Sequence, residues 1–150
     1  MSSGVAVNSE CIKTYQDLKQ PSRSKDEDGE SGKKGPLKYI VFKLSDDMKE
    51  IVVEKTSDDP KYDSFIKDLP EAEPRWAVYD VQFEKDGGIR KKITFISWSP
   101  EVAKVKQKMV YASSRDALRK SMDGVACEIQ ATDYDEVAWE SVLDKASRGR

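Results

Sequence analysis

The chain has 150 residues, 37% hydrophobic and 36% charged, with a formal net charge of −2. That length suits one domain with a core that needs no staples, and the charge balance excludes the net basic field of a nucleic-acid binder. Histidine is absent and the two cysteines, Cys11 and Cys127, lie far apart. Histidine-activated nucleophiles, histidine metal sites and zinc or redox cysteine spacings are thereby excluded, and both cysteines are expected reduced.

The N-terminal residues Met-Ser-Ser-Gly-Val-Ala-Val are too short and polar for a signal peptide. No apolar run approaches the ~20 residues that span a membrane. An intracellular protein is expected, with residues 1–7 as a small-residue arm. Residues 9–19 read as a short helix with Ile12, Tyr15 and Leu18 on one face. Residues 20–36 hold no large apolar side chain and read as a polar loop insertion bounded by prolines. Tyr39–Leu44 and Ile51–Glu54 are strand-like, joined as a hairpin through Ser45–Lys49. Asp58-Asp59-Pro60 opens a second helix with an aspartate cap, and Tyr62, Phe65, Ile66 and Leu69 form its apolar face. Trp76–Phe83 and Lys92–Trp98 are strands on either side of an Asp86-Gly87-Gly88 turn. Both faces of Lys92–Trp98 read as buried, which predicts a central strand covered by helices on both sides.

The segment from Trp98 to Leu118 carries the most information. Ser99 suits a helix cap and Pro100 a first helical position, so a helix over residues 100–112 is predicted. Val102, Val105, Met109 and Ala112 share one face, edged by Lys106 on one side and by Lys104 and Lys108 on the other. That stripe either fills the core or offers a partner apolar and cationic contacts together. Ser113, with Asp116 three positions on, predicts a second helix that Gly124 breaks. Val125–Ala131 is a further strand, able to run parallel to its neighbour after a helical crossover. Asp133 and Glu136 predict a capping box on a last helix whose apolar positions are Val137, Trp139, Val142, Leu143 and Ala146. The order predicts an α/β fold: one domain over residues 1–150, with a mixed sheet of about five strands sandwiched between helices on both faces.

Several motifs now resemble one family. Ser3-Gly-Val-Ala-Val7, Trp76-Ala-Val-Tyr-Asp80, Phe95-Ile-Ser-Trp-Ser-Pro100 and Lys108-Met-Val-Tyr-Ala-Ser-Ser-Arg-Asp-Ala-Leu118 are similar to the actin-depolymerising factor/cofilin family across nearly the whole length. Val142-Leu-Asp-Lys-Ala-Ser-Arg148 fits as well. Residues 20–36 depart from it, since the family usually has a shorter connection, often with a basic cluster. Lys33 and Lys34 are a weak remnant, which gives nuclear entry little support.

The resemblance implies a cytoplasmic, cytoskeletal, non-enzymatic monomer with no cofactor. It would bind monomeric and filamentous actin, sever filaments and promote depolymerisation. Ser3, Gly4, Val5, Lys106, Lys108 and Met109 would contact actin in both forms. Arg90, Lys92, Asp144, Lys145 and Arg148 would contact filaments only. Val102 and Val105 are assigned to the core. Ser3 would be a regulatory phosphorylation site, and acidic phosphoinositides would compete with actin for the same lysines. The alternatives are a relative that binds actin without severing, and a phosphoinositide-binding module using the same basic patch.

Overall fold

The computed structural model describes residues 5–19, 37–59 and 61–148, with the side chain of Arg148 excepted. Ser3, Gly4, Pro60 and the 20–36 segment lie outside the described residues. Six strands form one mixed sheet: β1 (Ala6–Val7), β2 (Tyr39–Leu44), β3 (Glu50–Ser57), β4 (Arg75–Lys85), β5 (Gly88–Trp98) and β6 (Cys127–Ala131). Their order across the sheet is β1-β3-β2-β4-β5-β6. The strand beyond the expected five is β1, which pairs parallel to β3 through Ala6↔Glu50 and Val7↔Ile51. β6 runs parallel to β5, as a helical crossover permits, and β2, β3, β4 and β5 pair antiparallel.

Helices α1 (Ser9–Lys19) and α3 (Val105–Lys120) cover one face. Helices α2 (Tyr62–Lys67) and α4 (Trp139–Arg148) cover the other. Alternation along β4 feeds both layers. Trp76 and Val78 enter the α1/α3 core, while Ala77, Tyr79 and Val81 enter the α2/α4 core. Each fully buried large side chain in these layers contributes about 1.5–3 kcal/mol. β5 does the same through Phe95 against Ile96 and Trp98, and it is a central strand.

The structure corrects several local expectations. On α1 the buried positions are Cys11, Tyr15 and Leu18, and Ile12 is exposed. Cys11 wins because its thiol reaches the Ile51 carbonyl at 3.3 Å. α2 begins at Tyr62, after an N-cap (Lys61) that makes no side-chain bond. Asp59 instead folds the approach, accepting from the Lys61 amide at 2.9 Å and the Ser64 hydroxyl at 2.6 Å. The last helix is split. Asp133 accepts from the Glu136 amide at 3.0 Å, capping a 3-10 turn over Tyr134–Val137, and α4 starts only at Trp139. The Glu136 carboxylate bonds the Thr132 amide at 2.6 Å, one residue earlier than a capping box requires.

The largest correction concerns the region between Ser99 and Lys120. It holds one helix, α3, preceded by a turn in which the Ala103 amide bonds the Pro100 carbonyl at 3.0 Å. Ser99 donates its backbone amide to Ala131. Ser113 starts no new helix. Ser113 and Ser114 both turn their hydroxyls back to the Val110 carbonyl, and α3 continues through them.

Candidate functional site

α3 divides sharply into two sides. Tyr111, Ser114 and Leu118 are buried against the sheet. Tyr111 anchors the helix: its ring meets Trp76 at 4.5 Å between centroids, and its hydroxyl accepts the Leu44 amide at 3.0 Å. The opposite side carries Val105 and Met109, with Val102 in the turn before it, and these are 70%, 64% and 71% exposed. Ala112 is exposed too. Val102 and Val105 therefore do not pack inward as expected; the whole stripe faces solvent. Large apolar side chains grouped this way mark an interaction surface.

The charge around the stripe is unbalanced in one direction. The N-cap of α3 is Lys104, without a side-chain cap, and its first turn has no acidic residue. Lys104 and Lys106 are exposed and Lys108 is half-buried. These cations sit at the positive end of the helix dipole beside uncapped amides, where an acidic group is favoured by about 0.3–1 kcal/mol. The helix end thus lacks an acidic group of its own in its first turn. Val5 and Val7 pack on the core beneath α3, so the N-terminal arm enters this region.

A groove of about 450 Å³ runs beside the helix, with Trp98, Tyr111, Ala112, Lys108 and Arg115 among its lining. One lining residue, Arg115, is held by charge. Arg115 and Arg119 both bond the Glu128 carboxylate, Arg119 at 2.6 Å. Burial works against the charged form of Glu128, but the two guanidinium groups prevail and hold it below the usual carboxylate range. Periodicity carries no signal for this groove, because helix and strand residues from four elements line it.

The second expected group assembles on the other face of the sheet. Arg90 and Lys92 alternate in step with Ile96 and Trp98, which belong to the α2/α4 core. Lys91 alternates with Ile93 and points to the α1/α3 side. Asp86 and Gly87 have φ of +54° and +80°, giving the two-residue turn that closes this hairpin. Arg90 lies 3.9 Å from Asp86. Asp144 and Lys145 are exposed on α4, and Arg148 ends that helix. Burial pushes the Cys127 thiol up, and Lys145 and Lys92 both act against that shift. The structure thus brings Lys106, Lys108 and Met109 together on one face, and Arg90, Lys92, Asp144 and Lys145 toward the other. Both cysteines are free. Among the described residues, no three or more His, Cys, Asp or Glu side chains converge to hold a metal ion.

Fold and site together define an α/β domain that presents an apolar, lysine-edged helix to solvent. A profile of the Cofilin/tropomyosin-type actin-binding protein family matches residues 4–147. The chain is 49% identical to the cofilin of Schizosaccharomyces pombe, over 97% of each chain. Among solved structures it resembles Streptomyces griseoflavus cofilin, with a TM-score of 0.85 and 52% identity over 98% of this chain and 100% of that one. It also resembles Plasmodium berghei actin depolymerization factor 2, with a TM-score of 0.78 and 29% identity over 98% and 99%. The chain belongs to the cofilin/actin-depolymerising factor family of actin-binding proteins.

Proposed function

We propose that this protein, actin-binding and depolymerising by family, grips actin through two surfaces and severs filaments by bridging neighbouring subunits. The observation that carries this reading is the solvent-facing row made by Val102, in the turn before α3, with Val105 and Met109 on that helix, whose other side is locked to the core. Met109 and the valines supply apolar contact area. Lys106 and Lys108 pair with acidic groups on actin, which also complete the open end of α3. Val5 packs on the core that α3 covers, and Ser3, Gly4 and Val5 extend this contact. This surface serves monomer and filament alike.

Arg90 and Lys92, with Asp144, Lys145 and Arg148, form the filament-only surface, because a second subunit is needed to reach the opposite face. A protein touching two subunits at once favours the filament geometry that satisfies both, in proportion to its differential affinity. Strain at boundaries between decorated and bare filament then breaks it. The protein acts as a monomer on the cytoplasmic actin cytoskeleton.

Two controls act on the first surface. Phosphate on Ser3 adds about −1.5 to −2 charges to the first surface and opposes an acidic partner. Acidic phosphoinositides compete for the same lysines, at about 1 kcal/mol per basic residue near a membrane surface. Imaging of labelled filaments tests the reading: new ends should appear along filaments when the protein is added. Full decoration with no new ends would leave a binder that does not sever.

A further inference from the structure

The β4–β5 hairpin outgrows the sheet. Register with β2 ends at Tyr79, with one further bond from the Asp80 amide to the Lys38 carbonyl at 2.9 Å. Register with β6 begins only at Thr94. From Val81 to Lys92 the chain is a two-stranded arm, closed by the turn at Asp86-Gly87. Its outer residues Glu84 to Lys91 are all exposed. A two-stranded ribbon is only marginally stable alone, so its direction depends on what holds its root.

Asp80 sits at that root and is 3% exposed. Its Oδ2 accepts from Gln82 Nε2 at 3.1 Å and lies 3.7 Å from Lys91 Nζ. Its Oδ1 has no hydrogen-bond partner among the described residues. Gln82 and Lys91 stand opposite each other in register, one on each strand of the arm. The carboxylate therefore holds both strands at once. Lys38, on the neighbouring chain segment, also faces this charge: burial disfavours its ammonium and Asp80 partly restores it. A buried carboxylate with one oxygen unsatisfied is a poor choice for stability alone, since replacing such a buried charged pair as a whole by apolar groups of similar shape is often neutral or stabilising.

We infer that Asp80 is a positioning residue, whose buried carboxylate fixes the direction of the β4–β5 arm and with it the filament-binding pair Arg90 and Lys92. The inference rests on the reading of that pair as filament contacts. Holding Lys91 on the α1/α3 side keeps its neighbours Arg90 and Lys92 turned to the α4 side.

The test uses full-length Asp80→Asn, Lys91→Met and the double variant, with Arg90→Ala/Lys92→Ala as reference. Filament co-sedimentation, monomer binding and thermal melting are measured for each. Each single variant should bind filaments about fivefold more weakly, with monomer affinity unchanged, and the double should be no worse than either single. Unchanged filament affinity in Asp80→Asn, additive losses, or a parallel fall in monomer affinity would overturn the inference. Lys91→Met removes a half-exposed side chain and keeps the test decisive should Asp80→Asn fail to fold; its filament affinity must still drop. Wild-type filament binding by Arg90→Ala/Lys92→Ala would defeat the underlying reading instead, whereas loss there with none in Asp80→Asn defeats only the role of Asp80.

Discussion

Val105 and Tyr111 lie on one helix and face opposite ways: Val105 is 70% exposed, while Tyr111 is 8% exposed and binds the Leu44 amide through its hydroxyl. The helix is thus fastened on one side so that the other can stay apolar and open. Fastening and binding can be separated by substitution.

Met109→Ala should leave stability within about 0.5 kcal/mol of the parent, because the side chain is exposed and leaves no cavity. Actin-monomer affinity should fall about tenfold, as for a central apolar contact. Thermal melting and a monomer titration check the two halves.

Tyr111→Phe should do the reverse. It strands the Leu44 amide inside the core, at a cost of about 1–3 kcal/mol. Denaturant unfolding should show the loss, while monomer affinity of the folded fraction stays near that of the parent.

Gly87→Ala probes the arm. Gly87 has φ of +80° and open space where a Cβ would stand, so the penalty is backbone strain alone, about 1 kcal/mol. Filament binding should weaken and monomer binding should not, read by co-sedimentation against a monomer titration.

Acid stability should depend on Glu128. Its folded pKa lies below the ordinary value of 4.5. The stabilisation is therefore present above that value and is lost as pH falls through the lower folded pKa. In Glu128→Gln, the part of the acid-side decline owed to this group should vanish. Unfolding free energies measured from pH 6 down to about pH 3 give the comparison.

Much of this was legible in the sequence. The strand Tyr39–Leu44 has the expected bounds, because an apolar run is closed by Ser45 and its turn. The Asp86-Gly87 turn was legible because few residue pairs accept positive φ twice. The helix start at Val105 was not. Ser99-Pro100 satisfies a helix opening and a simple turn equally well, and the turn wins here. Ser113 resembled a cap, yet inside a helix a serine can bond backward to Val110. Helical spacing groups Val102, Val105 and Met109 but does not say what they face. The three lysines around them were the available signal, since a core-facing turn cannot seat three ammonium groups. Asp80 gave no signal, because its role depends on where two neighbouring strands end.

The separation of two surfaces on opposite faces of the sheet is tested most directly by measuring monomer and filament affinities side by side for two variants. Arg90→Ala/Lys92→Ala should lose about tenfold or more for filaments and nothing for monomers, while Lys106→Ala/Lys108→Ala should lose in both. An equal loss of monomer affinity in Arg90→Ala/Lys92→Ala would contradict the account.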